Sequence, residues 1–299
     1  MRKLEVYIEE DGDFVLAGQI QGETWEDARF IYEKSYLENQ SHQPVSISLP
    51  FQEDAFSPFE TRCYFEGLLP EGYTRRCVAG WMHVAEEDYL SVLAGLGNEC
   101  LGAVRICEPG AGGCSPSYKK ISREELLEFA KEGASKSAQF LAKAHLSLTG
   151  ASGKTGLYYD NKDGWYMPFG TAPSTHIVKQ SHVRLSGIVA NEQLCLRTAK
   201  ILGIDVPESF IISVGTGEHI LFATKRFDRL MQEDSRVIDG KKVPFRLQQE
   251  DFAQALGVPA SQKYEKIGDS YLKRVFTLLR QYSDNPLSLI HISEPTRHS

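Results

Sequence analysis

At 299 residues the chain has material for two domains or one large one, with enough apolar content for a sizeable core. Its 41% hydrophobic and 24% charged residues are ordinary for a globular protein, and a net charge of −7 excludes a broadly basic nucleic-acid surface. Six scattered cysteines without a C-x-x-C pair argue against a zinc ribbon or disulfide framework. The start, Met1 to Glu5, lacks a signal-peptide core, and no run nears the roughly 18 apolar residues of a membrane span, so a cytoplasmic location is expected.

The alternation of Leu4, Val6 and Ile8, then the turn residues Asp11-Gly12 before Phe14-Val15-Leu16-Ala17, predicts a β-hairpin. Val45, Ile47 and Leu49 alternate with serines between two prolines, which predicts a short strand. Residues 63–72 and 88–96 then read as helical, the second stopping at Gly97. Gly110 to Ser117 is the clearest linker and places a domain boundary near residues 109–120. Ser122-Arg123-Glu124-Glu125 has the form of a capping box opening a helix through Leu126, Leu127 and Ala130. Trp81 and Trp165 are expected in the core.

The most informative stretch is Ser147-Leu148-Thr149-Gly150-Ala151-Ser152-Gly153-Lys154-Thr155, a small-residue loop between two apolar segments. Such a loop lets backbone amides approach an anion, and its lysine supplies positive charge. Residues 155–159 and 164–168 flank a turn and read as strand–turn–strand. A Walker loop leads into a helix, whereas a kinase-type loop joins strands and takes its lysine from a later one. Lys179, on the predicted strand Thr175–Lys179, supplies that lysine, so the kinase reading fits the context better. A helix over residues 191–203 follows, with Leu194, Cys195, Thr198, Ala199 and Leu202 on one face and Gly203 as its stop. Glu192 would either orient Lys179 or complement the helix dipole. Two strands, 208–213 and 219–224, lead to Lys225-Arg226-Phe227-Asp228-Arg229. That segment reads as a hinge whose backbone faces an adenine; the alternative for Arg226, Asp228 and Arg229 is a solvated salt-bridge cluster. His176 reads as a structural histidine, and no histidine pair has metal-ligand spacing.

Read together, these segments resemble the HipA family of serine/threonine kinase toxins from bacterial toxin–antitoxin modules. The likeness rests on Phe65–Gly72, Gly97–Val104, Ser147–Thr155, Ser174–Lys179, Asn191-Glu192, Arg226–Arg229, Gln249–Gly257 and Lys263-Tyr264-Glu265, in family order. It implies an α+β fold: an N-terminal mixed α/β subdomain over 1–108, then over 121–288 a protein-kinase-like N-lobe and the start of a helical C-lobe. By resemblance, Thr149, Gly150, Ala151, Ser152, Gly153 and Lys154 hold ATP phosphates, Lys179 contacts them, and Lys225, Arg226 and Phe227 form the adenine hinge. Ser147 matches the family's autophosphorylated serine. Lys225 departs from a commonly acidic position, and Ser152-Gly153 replaces the usual Gln-Glu pair. The implied cofactors are ATP and Mg2+, and the implied partners are a helix-turn-helix antitoxin of HipB type and a protein substrate in translation. DNA would be reached only through the antitoxin, and no membrane is involved.

The family's catalytic Asn-x-Asp-x-His-x-Lys-Asn loop and later metal-binding aspartate have no counterpart among Asp228, Asp234, Asp239, Asp251, Asp269 and Asp284. Residues 289–299 resemble translated adapter sequence, so the chain is expected to be a clipped kinase, inactive as written. A non-catalytic nucleotide- or antitoxin-binding relative is the alternative. A P-loop NTPase is the third reading, and it requires a helix directly after Thr155.

Overall fold

The computed structural model describes residues 1–111, 115–132, 134–150, 153–181, 185–216, 219–264 and 270–286. Ala151, Ser152, Glu265, Asp269 and the 289–299 tail lie outside the described residues.

The first hairpin forms as its alternation demands: β1 (Arg2–Glu10) pairs with β2 (Asp13–Gly22), burying Leu4, Val6 and Ile8. Asp11 and Gly12 both take positive φ, 49° and 90°, as the tight hairpin turn requires. β3 (Arg29–Tyr32) extends one edge, and after the short α1 (Lys34–Glu38) come three longer helices, α2 (Pro58–Gly67), α3 (Gly72–Met82) and α4 (Tyr89–Leu96). β4 (Val104–Cys107) then returns to pair with β1, closing an antiparallel sheet of order β3-β2-β1-β4. Ser57 opens α2 with a reciprocal capping box to Glu60.

No strand forms at Val45–Leu49, where Ser46 and Leu49 make an isolated bridge instead. The polar groups of this turn are spoken for: Glu250 accepts from the Ile47 amide at 2.9 Å and the Ser46 hydroxyl at 2.5 Å, and the Tyr32 hydroxyl donates to the Leu49 carbonyl. With its backbone held by side chains, the segment has no call for a partner strand.

The second sheet has the antiparallel order β5-β7-β6-β8-β10-β9. Its strands are β5 (Ser117–Lys120), β6 (Lys154–Asp160), β7 (Gly164–Phe169), β8 (His176–Gln180), β9 (Ser209–Val214) and β10 (His219–Lys225). Between β5 and β6 lie α5 (Arg123–Glu132) and α6 (Ala134–Ala144), whose Phe129 and Phe140 rings stack 5.5 Å apart. The capping box at Ser122 and Glu125 is present in both directions. The segment before the small-residue loop is therefore a helix, α6, rather than a strand, and the loop joins helix to strand. Apolar residues every three or four positions over 137–144 carry that helix.

Helix α7 (Ile188–Ile201) follows β8 and packs on β9 and β10. It buries Val189 and Gln193, while Leu194 is 63% exposed and Leu202 73%. The stripe of Leu194, Cys195, Thr198 and Leu202 thus looks outward. A rotation of about 100° per residue separates Val189 and Gln193 from that stripe, and the sheet accepts only one side of the helix. Trp165 is buried, whereas Trp81 is 48% exposed.

Beyond β10, β11 (Arg229–Leu230) pairs with β14 (Phe245–Arg246), and β12 (Val237–Ile238) with β13 (Lys241–Lys242). Then come α8 (Phe252–Ala255) and α9 (Tyr271–Tyr282). Several contacts join the front of the chain to its back, among them α3 and α4 on α6, and α2 on α8. One apolar core runs continuously from Leu4 and Phe65 through Phe129 to Leu221. Among the described residues no helix is long and apolar enough to cross a membrane.

Candidate nucleotide-binding site

Strand register places the two lysines of interest. Lys154 on β6 lies directly opposite Lys179 on β8, and Lys179 lies opposite Phe222 on β10, so all three side chains share one face of the sheet. Lys179 donates to Glu192 of α7 at 2.5 Å, and its ammonium sits 5.7 Å from the Phe222 ring centre. Helix α7 begins at Ile188, earlier than the sequence suggests, so Glu192 lies in its second turn and reaches the lysine rather than capping the helix.

Lys154 is in a different position. Its ammonium donates to the Thr149 carbonyl at 2.9 Å, and no carboxylate pairs with it among the described residues. Burial, and then the neighbouring Lys179, push its pKa down to about 8. Like charges directly opposite on adjacent strands repel, so the pair favours an anion in front of it. Gly150 takes φ +104°, a left-handed backbone conformation that favours glycine at this position in the loop. Two facing lysines beside the Thr149-Gly150 backbone fit a phosphate group.

Ser147 is fully buried; its hydroxyl donates to the Leu68 carbonyl at 2.7 Å and its amide to the Glu99 carbonyl at 2.8 Å. β6 begins at Lys154, so a strand follows the loop and the Walker reading is excluded.

At the 225–227 segment, the Lys225 amide donates to the Glu208 carbonyl and the Arg226 amide to the Thr175 carbonyl. Phe227 is 72% exposed. The charges here are buried rather than solvated. Arg226 reaches Asp228 with two nitrogens, at 2.9 and 2.6 Å, and Arg229 reaches Glu99 at 3.1 Å. Glu99 also accepts from the Ser174 amide at 2.8 Å and hydroxyl at 2.9 Å. The Gly102 amide donates to Asp228 at 2.9 Å. Burial works against both carboxylates, but the two arginines outweigh it and hold Glu99 and Asp228 below their ordinary range. Burial and the like charge of Arg226 push Arg229 down to about 10. Spacing in the sequence could not foretell this, because Glu99 arrives from the other domain.

His176 hydrogen-bonds Thr175 at 2.8 Å and touches Tyr159, Trp165 and Phe210, and burial drives its pKa down to about 4. It lies on the opposite sheet face from the lysines, beside a cavity of about 250 Å³ also lined by Glu208 and Met231. Of the aspartates after β10, Asp228 is locked by arginines, Asp239 accepts from the Tyr118 amide, and Asp251 caps α8. Among the described residues, no group of three His, Cys, Asp or Glu side chains is placed to hold a metal.

Two family models match the chain: the HipA N-terminal domain over residues 4–107 and the HipA-like C-terminal domain over 146–293. The putative kinase Y4mE of Sinorhizobium fredii is 31% identical over 282 residues, covering 91% of this chain and 64% of that protein. The serine/threonine-protein kinase toxin HipA of Shewanella oneidensis is 28% identical over 228 residues, covering 76% of this chain and 50% of that protein. The chain thus spans between half and two thirds of these relatives' lengths. Among solved structures, the Shewanella oneidensis HipA, HipB and operator DNA complex matches with a TM-score of 0.69 at 24% identity, over 93% of this chain and 64% of that one. That match carries the fold, and the paired domain matches carry the relationship: this chain belongs to the HipA family of kinases.

Proposed function

We propose that the chain is the nucleotide-binding portion of a serine/threonine kinase toxin, taking ATP with its phosphates under the 149–154 loop. The observation that carries this is the facing pair Lys154 and Lys179, of which, among the described residues, only Lys179 has a carboxylate partner. In this reading Glu192 fixes Lys179 so that its ammonium meets the phosphates, and Lys154 with the loop amides holds the remaining charge. The adenine lies along Lys225–Phe227, and Mg2+ arrives with the nucleotide, held largely by its phosphates. Ser147 is the autophosphorylation site, and its burial means the loop must open before that serine can react.

Partners follow from the family: an antitoxin of HipB type, which carries the DNA contact, and a protein substrate in translation. Calorimetric titration with ATP tests the binding step. Micromolar affinity in the wild type, lost on Lys179→Ala, is the expected result; equal heats from both proteins would overturn it.

The second reading is a relative that binds nucleotide or antitoxin without transferring phosphate. It draws support from Asp228, Asp239 and Asp251, which are engaged elsewhere. Incubation with ATP labelled at the γ-phosphate tests the second reading: label on Ser147 would overturn it, whereas binding without label is the result expected of a silent relative and of a clipped kinase alike.

A further inference from the structure

The turn Leu68–Gly72 of the N-terminal domain grips the first half of the small-residue loop at two points. Leu68 accepts the Ser147 hydroxyl, and the Glu71 amide donates to the Gly150 carbonyl at 3.3 Å. The Glu71 carboxylate then gathers three donors. Thr149 reaches it at 3.2 Å, Lys263 at 2.9 Å and Tyr264, through its hydroxyl, at 2.8 Å. Lys263 also touches the Thr149 hydroxyl at 3.1 Å and pairs with Asp251 at 2.8 Å. Three segments far apart in sequence thus meet at one threonine of the loop.

We infer that Glu71 is a positioning residue for the loop: with Lys263 and Tyr264 it holds Thr149 and Gly150 closed, so the N-terminal domain controls when the loop opens. The consequence for nucleotide rests on the phosphate-loop reading above; the latch itself does not. The arrangement suits a releasable contact rather than a core one. Its groups border a cavity of about 440 Å³ lined by Arg62, Arg75 and Tyr264, and Tyr264 is 64% exposed. Burial acts to raise the Glu71 carboxyl, and the Lys263 and Tyr264 hydrogen bonds outweigh it, so the group stays ionised at neutral pH. Charge-assisted bonds of this kind are stronger than neutral ones, so the carboxylate is the strongest element of the grip.

Hydrogen exchange on the nucleotide-free full chain tests this, read by mass spectrometry. The Glu71 amide is bonded to Gly150, so its exchange reports departure of the loop. Glu71→Gln should speed exchange of peptides covering 68–72 and 147–150 by roughly tenfold, the effect of losing a charged hydrogen-bond partner. Exchange of α4, packed in the same domain, should not change. Tyr264→Phe, a mild change at an exposed ring, should give a few-fold effect in the same peptides and keeps the test alive if the first variant does not fold. Unchanged exchange at 68–72 and 147–150 would overturn the proposal. So would acceleration shared equally by α4, which would mark Glu71 as a general support of the domain. ATP titration of the wild type is run alongside. Failure to bind would sink the phosphate-loop reading and leave the exchange result standing, so the two failures are distinguishable.

Discussion

Two charge clusters in this molecule are built from similar residues and behave in opposite ways. At the joint between the domains, Arg226 and Arg229 face Glu99 and Asp228, all within a few per cent of full burial, and the charges cancel. At the lysine face, Glu192 pairs with Lys179 while among the described residues no carboxylate pairs with Lys154, and a positive charge is left over. Charges taken out of water must be neutralised locally or they destabilise the fold. A cluster left unbalanced at an accessible place is what a site for an anion requires. The difference lies in the partners, and those partners come from other parts of the chain.

The comparison breaks most severely if the joint is unbalanced. Glu99→Ala or Asp228→Ala would strand arginines in the core and should cost about 3–5 kcal/mol of stability, read as a lower urea midpoint. Acid does the same by titration. Both carboxyls are held below their ordinary values of 4.5 and 3.8. Their contribution is therefore complete above those values and is lost as pH falls through the depressed ones, so acid unfolding should set in below about pH 4. A pH-independent midpoint between 5 and 3 would show that the joint is not carried by these charges.

At the lysine face the same kind of change should act on ligand rather than fold. Lys179→Ala should weaken ATP binding by at least roughly tenfold, yet cost about 1 kcal/mol or less in stability, because its ion pair is only half-buried. A large drop in melting temperature would make Lys179 a structural residue. A finer effect comes from Lys154, whose pKa is pushed down to about 8. ATP affinity should fall as pH rises through that value and the ammonium discharges, and Lys154→Met should flatten the profile. Protein stability moves the other way. The unfolded chain keeps its proton to about 10.5 while the native one sheds it earlier, so stability from this group rises between the two values. The smallest effect is expected on the outer face of α7. Leu194→Ser and Leu202→Ser should each change stability by no more than about 0.5 kcal/mol, since both side chains already face water. A loss of several kcal/mol would mean that this face is covered.

Local signals were faithful where the reason for an element is local. Asp11-Gly12 fixed the first hairpin, Ser122 and Glu125 the start of α5, and the turn after Tyr159 the β6–β7 pair. They failed where the reason is a neighbour. Val45–Leu49 alternates like a strand but meets Glu250 and Tyr32 instead of a sheet. The apolar stripe of α7 is regular, but which side of a helix is covered depends on what is packed against it. Arg226 and Arg229 look like surface charges because Glu99, a counter-ion they share, lies 127 positions before Arg226.

By itself the sequence determined the loop of small residues, the lysine strand, the helix bearing Glu192 and the order of the family's segments, because each is written in contiguous residues. Only the tertiary structure decided that Lys154 and Lys179 stand opposite one another, that the hinge charges are sealed inside a joint, and that Glu71 and Lys263 close on Thr149. Register across a sheet and contacts between domains depend on distances in space, and spacing along a chain does not carry them.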